Sequence, residues 1–230
     1  MAFRPIVAAD EGELARVAAA WLADEMRKAV AQAGRCALAM SGGSTPRPAY
    51  ERLAAQEDVP WEAVEVYFGD ERAVPPSDAQ SNYRMAREAL LDRVRLSPDR
   101  IHRMEADDPD REAAAARYAA LLPSALDILV LGMGPDGHTA SLFPGSPALR
   151  ETEKKVVPAR APVPPSERLT VTPPVIATAR RVAVLAAGAG KAAVVARVLR
   201  GPWQPDALPA QLAREGTWLL DRAAASALGS

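Results

Sequence analysis

The chain holds two histidines, and one of them stands among residues suited to proton transfer. Residues 127–145 read Asp-Ile-Leu-Val-Leu-Gly-Met-Gly-Pro-Asp-Gly-His-Thr-Ala-Ser-Leu-Phe-Pro-Gly. The apolar run Ile128 to Leu131 ends at three closely spaced glycines, and His138 follows the last of them. Imidazole titrates near neutral pH, which suits it to general acid/base work. Asp136, two residues earlier, is placed to orient that ring and hold its tautomer. The plainer use of the same residues is a glycine-turn histidine bonded to backbone. No other histidine lies close in sequence, so a metal-free acid/base role is preferred to a metal site. His102, in Asp-Arg-Ile-His-Arg-Met, has no glycine loop beside it and is assigned to structure or surface.

Three further stretches carry anion chemistry. Ser41-Gly42-Gly43-Ser44-Thr45 combines glycines, whose backbone N–H groups can approach an anion closely, with hydroxyl donors and a following helix start. A plain turn with a helix cap reads equally well, and the spacing is neither a Walker A nor a dinucleotide fingerprint. Gly188-Ala189-Gly190-Lys191 sets a lysine at a helix start, where the helix dipole disfavours a cation unless an anion offsets it, and a solvated lysine reads equally well. Gly69-Asp70-Glu71-Arg72 sets charges directly after an apolar run. Arg72 there suits a phosphate, a developing oxyanion or a surface ion pair.

These residues need elements to hold them. The spacing predicts helices over 11–33, from Pro46 through Leu53, from Asn82 through Leu91, over 111–122 and through Val195–Leu199. Ser44 or Thr45, and Ser81 or Asn82, serve as caps, and Gly34 as a stop. Buried strands are predicted over 36–40, 64–68, 127–131 and 181–186, with shorter ones at 169–172 and 217–220. Pro173-Pro174 ends one of them, and the proline-rich 158–168 segment reads as an irregular loop bordering a site. Strands alternating with helices give an α/β fold, a mostly parallel, Rossmann-like open sheet flanked by helices on both faces. In such a sheet the strands' carboxyl ends share one edge, where ligands bind. The four glycine-bearing loops would therefore meet. No repeat or linker divides the chain, so residues 1–230 read as one domain.

Bulk numbers narrow the classes. The net charge of −1 argues against a nucleic-acid or membrane-surface partner, so any basic pocket must be local. A single cysteine, Cys36, rules out an intrachain disulfide or a multi-cysteine zinc site, and reads as a buried thiol. No apolar stretch approaches about 20 residues, and the N-terminus lacks a signal-peptide core, so a cytoplasmic protein is expected.

In order along most of the chain, Ser41–Pro46, Gly69–Arg72, Ser81-Asn82-Tyr83, Gly132–Gly145, Arg168-Leu169-Thr170 and Gly190-Lys191 resemble the 6-phosphogluconolactonase family. The glycine-histidine segment is the specific part of the match. The wider superfamily includes glucosamine-6-phosphate deaminase, which shares the fold and the Gly-His loop. The deaminase carries Asn-Glu-Pro where this chain has Leu142-Phe143-Pro144, and Asp-Glu-Tyr where it has Asp70-Glu71-Arg72. Phenylalanine exchanges no protons, so both departures favour the lactonase. The resemblance implies a single open-sheet domain of the deaminase type. Its activity would be hydrolysis of 6-phospho-D-glucono-1,5-lactone to 6-phosphogluconate, in the oxidative pentose phosphate pathway, with no metal or organic cofactor needed. It implies His138 as base, Asp136 as its orienting partner, and phosphate on Gly42, Gly43, Ser44 and Thr45 with Lys191. Asp70, Arg72 and Arg168 would be further substrate contacts, with Arg72 on either the phosphate or the carbonyl oxygen. A small phosphorylated lactone is then the partner of a monomer or weak homo-oligomer. An amino-sugar-phosphate deaminase or isomerase, and a non-catalytic phosphosugar sensor, are the competing readings.

Overall fold

A computed structural model describes residues 5–229, so Met1–Arg4 of the segment read for a signal sequence, and Ser230, lie outside the described residues. Six strands form one sheet: β1 (Ile6–Ala8), β2 (Cys36–Met40), β3 (Val64–Phe68), β5 (Ile128–Gly132), β8 (Arg181–Ala186) and β9 (Thr217–Asp221). Their order is β1-β9-β8-β5-β2-β3, and every pairing is parallel. All five residues of β2 and the first four of β5 are buried, as strands covered on both faces require.

The crossovers explain the coverage. Connections running toward β3 carry α1 (Glu11–Ala33) and α2 (Pro46–Ala54), which pack on each other. Those running back carry α4 (Arg111–Leu121), α5 (Pro173–Thr178) and α6 (Ala192–Arg200). Right-handed crossovers place the two groups on opposite faces. The running direction reverses between the neighbours β2 and β5, whose register pairs Leu38 with Ile128. That reversal opens a crevice at the strands' carboxyl ends.

Local signals set most boundaries. Asp10 caps α1 by accepting from Glu13 N at 2.8 Å, and Gly34 ends it at φ 70°. Ser81 caps α3 (Asn82–Ala89), which stops two residues short of Leu91 because Leu90 leaves helical geometry. Thr45 occupies the position before α2 without a side-chain capping bond, so neither expected hydroxyl caps that helix.

A second sheet corrects the sequence reading. β4 (Asp70–Arg72), β7 (Glu167–Val171) and β6 (Val156–Arg160) form an antiparallel sheet in the order β4-β7-β6. Residues 70–72 are thus a strand, not a loop, and 158–168 is mostly a hairpin. Pro158 hid it, since a proline inside a strand removes a ladder donor; β6 tolerates it as an edge strand. Pro173 and Pro174 do end β7, and they also open α5, where missing N–H groups cost no hydrogen bond.

Candidate active site

The loops after β2, β5 and β8 meet β4 and β7 around one cavity of about 290 Å³. Gly42, Gly43, Ser44 and Thr45 form one wall, Asp70, Arg72 and Arg168 another, and His138 and Lys191 complete it. Every residue expected to contact substrate therefore lines one space. Asp136 does not line it, standing behind His138 with Oδ1 2.6 Å from Nδ1 and also accepting from the His138 backbone N at 3.1 Å. With the carboxylate accepting at Nδ1–H, Nε2 is left as the ring's acceptor. The Phe143 ring lies on the imidazole, centroids 4.5 Å apart and tilted by 39°. The position that would hold a deaminase glutamate therefore supports the histidine ring.

The turn is built to bring these groups together. Gly134 leaves no room for a side chain: a Cβ there would overlap the His138 ring and crowd the Asp136 carboxylate. Gly137 turns at φ 86°, in the left-handed region. Ala140 sits at φ 47°, held between two anchors. Thr139 Oγ1 donates to Gly132 O at 2.8 Å, and Ser141 Oγ donates to Asp70 Oδ2 at 2.6 Å.

The β2 loop is fixed by Tyr50, fully buried, whose hydroxyl accepts from Ser41 N at 3.0 Å and donates to Ser41 O at 3.1 Å. Pro46 and Pro48 carry no N–H, so the amide donors near the α2 start come from the 42–45 loop and Arg47. Gly43 turns at φ 108°.

Arg72 and Arg168 face each other across the β4–β7 ladder. Arg72 Nη1 donates to Gln80 O at 2.5 Å, and Arg168 Nε donates to Pro165 O at 2.8 Å. Burial, then the neighbouring Arg72, lowers the Arg168 pKa. Lys191 closes the 3₁₀ turn Ala189–Lys191, and burial lowers its pKa against the pull of Glu11 and Asp221. None of these three cations has an ion-pair partner within 4.0 Å among the described residues. Unpaired, partly buried cations around one cavity make an anion site.

Glu71 points away from the cavity and holds α3 instead. Its Oε1 accepts from Arg72 N and Asn82 N, both at 2.8 Å, and its Oε2 from Tyr83 N at 2.8 Å and Ser81 Oγ at 3.0 Å. Asn82 and Ser141 line the cavity, but the sequence assigned neither a role in the site. Both depend on contacts with Asp70, 12 and 71 residues away, which no local pattern reveals. His102 stacks on Tyr67 with centroids 4.6 Å apart, in a structural setting at the edge strand β3. Among the described residues no group of three or more His, Cys, Asp or Glu side chains is arranged to hold a metal ion.

A family model described as glucosamine-6-phosphate isomerases/6-phosphogluconolactonase matches residues 9–220. A 6-phosphogluconolactonase of Streptomyces coelicolor is 40% identical over 245 residues, covering 97% of this chain and 94% of the relative. The solved 6-phosphogluconolactonase of Trypanosoma brucei superposes with a TM-score of 0.84 at 32% identity, over 99% of this chain and 100% of its own. A solved monomeric glucosamine-6-phosphate deaminase reaches the same TM-score, 0.84, at 25% identity, over 98% and 100%. Backbone shape alone does not separate the two activities.

Proposed function

The chain belongs to the glucosamine-6-phosphate isomerase/6-phosphogluconolactonase family, and we propose that within it the chain hydrolyses 6-phospho-D-glucono-1,5-lactone with His138 as general base. The observation that carries the base assignment is the 2.6 Å contact between Asp136 Oδ1 and His138 Nδ1 at the cavity wall. A carboxylate at Nδ1 leaves Nε2 free to take a proton.

The reaction then runs in two steps. Nε2 takes a proton from water as the water oxygen attacks C1 of the lactone. The C1–ring oxygen bond breaks, and the imidazolium returns the proton to the departing ring oxygen. The product is the open-chain acid, which ionises. A lactone is already an activated ester, so a base and some oxyanion stabilisation suffice. Asp136 is a positioning residue: it orients the ring and offsets the charge of the imidazolium.

The phosphate is assigned to the 42–45 loop with Lys191 and Arg168, supported by unpaired cations and by amides at a helix start. Arg72 donates to a substrate oxygen through Nε, which is buried and unpartnered. Asp70 holds Ser141 and Asn82 in place. Phe143 at the imidazole favours hydrolysis over the deaminase chemistry. Both sheets act as one catalytic domain, and the protein works as a monomer or weak oligomer in the cytoplasm. No helix among the described residues is long and apolar enough to cross a membrane.

Freshly generated 6-phosphogluconolactone, with spontaneous hydrolysis subtracted, provides the test. His138→Ala is expected to lose roughly 10²- to 10⁴-fold in kcat. Wild-type turnover in a folded His138→Ala protein would refute the base assignment.

A further inference from the structure

Among the described residues, two buried side-chain polar atoms have no hydrogen-bond partner: Arg72 Nε and Asn82 Oδ1. Both residues line the active-site cavity. Native proteins rarely leave such atoms unmet, and a buried acceptor needs a donor from somewhere. Asn82 opens α3 and is 2% exposed. Its Nδ2 donates to Asp70 O at 2.9 Å and to Asp70 Oδ1 at 3.1 Å. Turning the amide over would set its oxygen against two oxygens, so the direction of Oδ1 is fixed. The oxygen lies over Gly42, at the place where a Cβ on residue 42 would fall. Gly42 has no positive φ. Its lack of a side chain makes room for the Asn82 carbonyl oxygen in the cavity wall.

The proposed substrate offers few donors to such an acceptor. Its phosphate, carbonyl and ring oxygens accept. Only the hydroxyls at C2, C3 and C4 donate. A hydroxyl also suits the other unmet atom, since its oxygen can accept from Arg72 Nε while its hydrogen goes to Asn82. Arg72 is tied through Nη1 to the carbonyl of Gln80, two residues before Asn82.

We infer that Asn82 Oδ1 accepts a hydrogen bond from a ring hydroxyl of the substrate, making Asn82 a specificity-determining residue for hydroxylated phosphosugar lactones. This rests on the lactonase reading above. Lactones prepared fresh from glucose 6-phosphate and from its 2-, 3- and 4-deoxy analogues separate the two claims. In the wild type, at least one deoxy lactone should lose about 10- to 100-fold in kcat/KM against the parent. In Asn82→Leu, of similar volume but without the acceptor, that ratio should shrink to about twofold or less, with the loss falling mainly on the parent lactone. If Asn82→Leu fails to fold, Asn82→Ala, which also removes Oδ1, makes the same comparison. Rapid hydrolysis of the parent with every deoxy lactone within about twofold of it would overturn the inference and leave the lactonase reading intact. An inactive wild type on the parent would overturn both. Equal losses on all four lactones in the variant, with discrimination unchanged, would assign Oδ1 to the attacking water instead and overturn the hydroxyl contact.

Discussion

Lys191 shows how one side chain joins burial to function. Burial lowers its pKa from the ordinary 10.5, because removing the ammonium from water penalises the charged form. A bound phosphate favours the charged form. Phosphosugar binding is therefore strongest while Lys191 is protonated and weakens as pH rises through its lowered pKa, starting below 10.5. Calorimetric titration with 6-phosphogluconate from about pH 7 to about pH 10 should show that loss in the wild type. Lys191→Arg keeps its charge throughout and should hold a flat profile. Parallel profiles would remove Lys191 from the phosphate site. The His138–Asp136 pair was legible from sequence because two residues of turn suffice to fold one onto the other. Phe143 was legible as a missing acid. Its contact with the imidazole was not, because ring packing depends on the path of the loop beyond Ser141.

At the scale of elements, the β5 loop and the β4–α3 junction carry the site. Gly134 has no room for a side chain, since a Cβ would overlap the His138 ring. Gly134→Ala should lower kcat by about 10²-fold or more with KM little changed, because the dyad is displaced while the phosphate wall stays in place. Steady-state kinetics beside a thermal melt would check this, and normal kcat in the folded variant would count against the geometry. Glu71 accepts four hydrogen bonds around the start of α3. Burial raises its pKa, and the three backbone donors work against that. Glu71→Gln leaves one acceptor oxygen and sets an NH₂ group against donors. A loss of roughly 1–3 kcal/mol is expected in denaturant unfolding. The sequence marked 69–72 as a charged loop because Asp-Glu-Arg has no strand pattern. β4 forms because β7 offers a ladder, and a three-residue strand cannot form without its partner.

Across the whole molecule, the cavity takes its walls from both sheets, so a ligand there ties them together. At a hundredfold excess over Kd, 6-phosphogluconate should stabilise the fold by about 2.7 kcal/mol. That corresponds to a rise in Tm of roughly 5–10 °C for a chain of this size. Differential scanning fluorimetry measures it, and Arg168→Ala should reduce the rise by removing a contact from the smaller sheet. An undiminished shift in that variant would place the ligand away from β7. By itself, the sequence determined the parallel sheet and the loops at its strand ends. Apolar runs ending in glycine turns are local signals, and the parallel topology gathers their carboxyl ends at one edge. It also set Asp136 beside His138, the pair proposed as catalytic, because both lie within one turn. The tertiary structure alone decided the second sheet, the facing of Arg72 and Arg168, and the hold of Asp70 on Ser141 and Asn82. Those contacts depend on strand register and long-range packing, where a shift of one residue would turn each side chain to the opposite face.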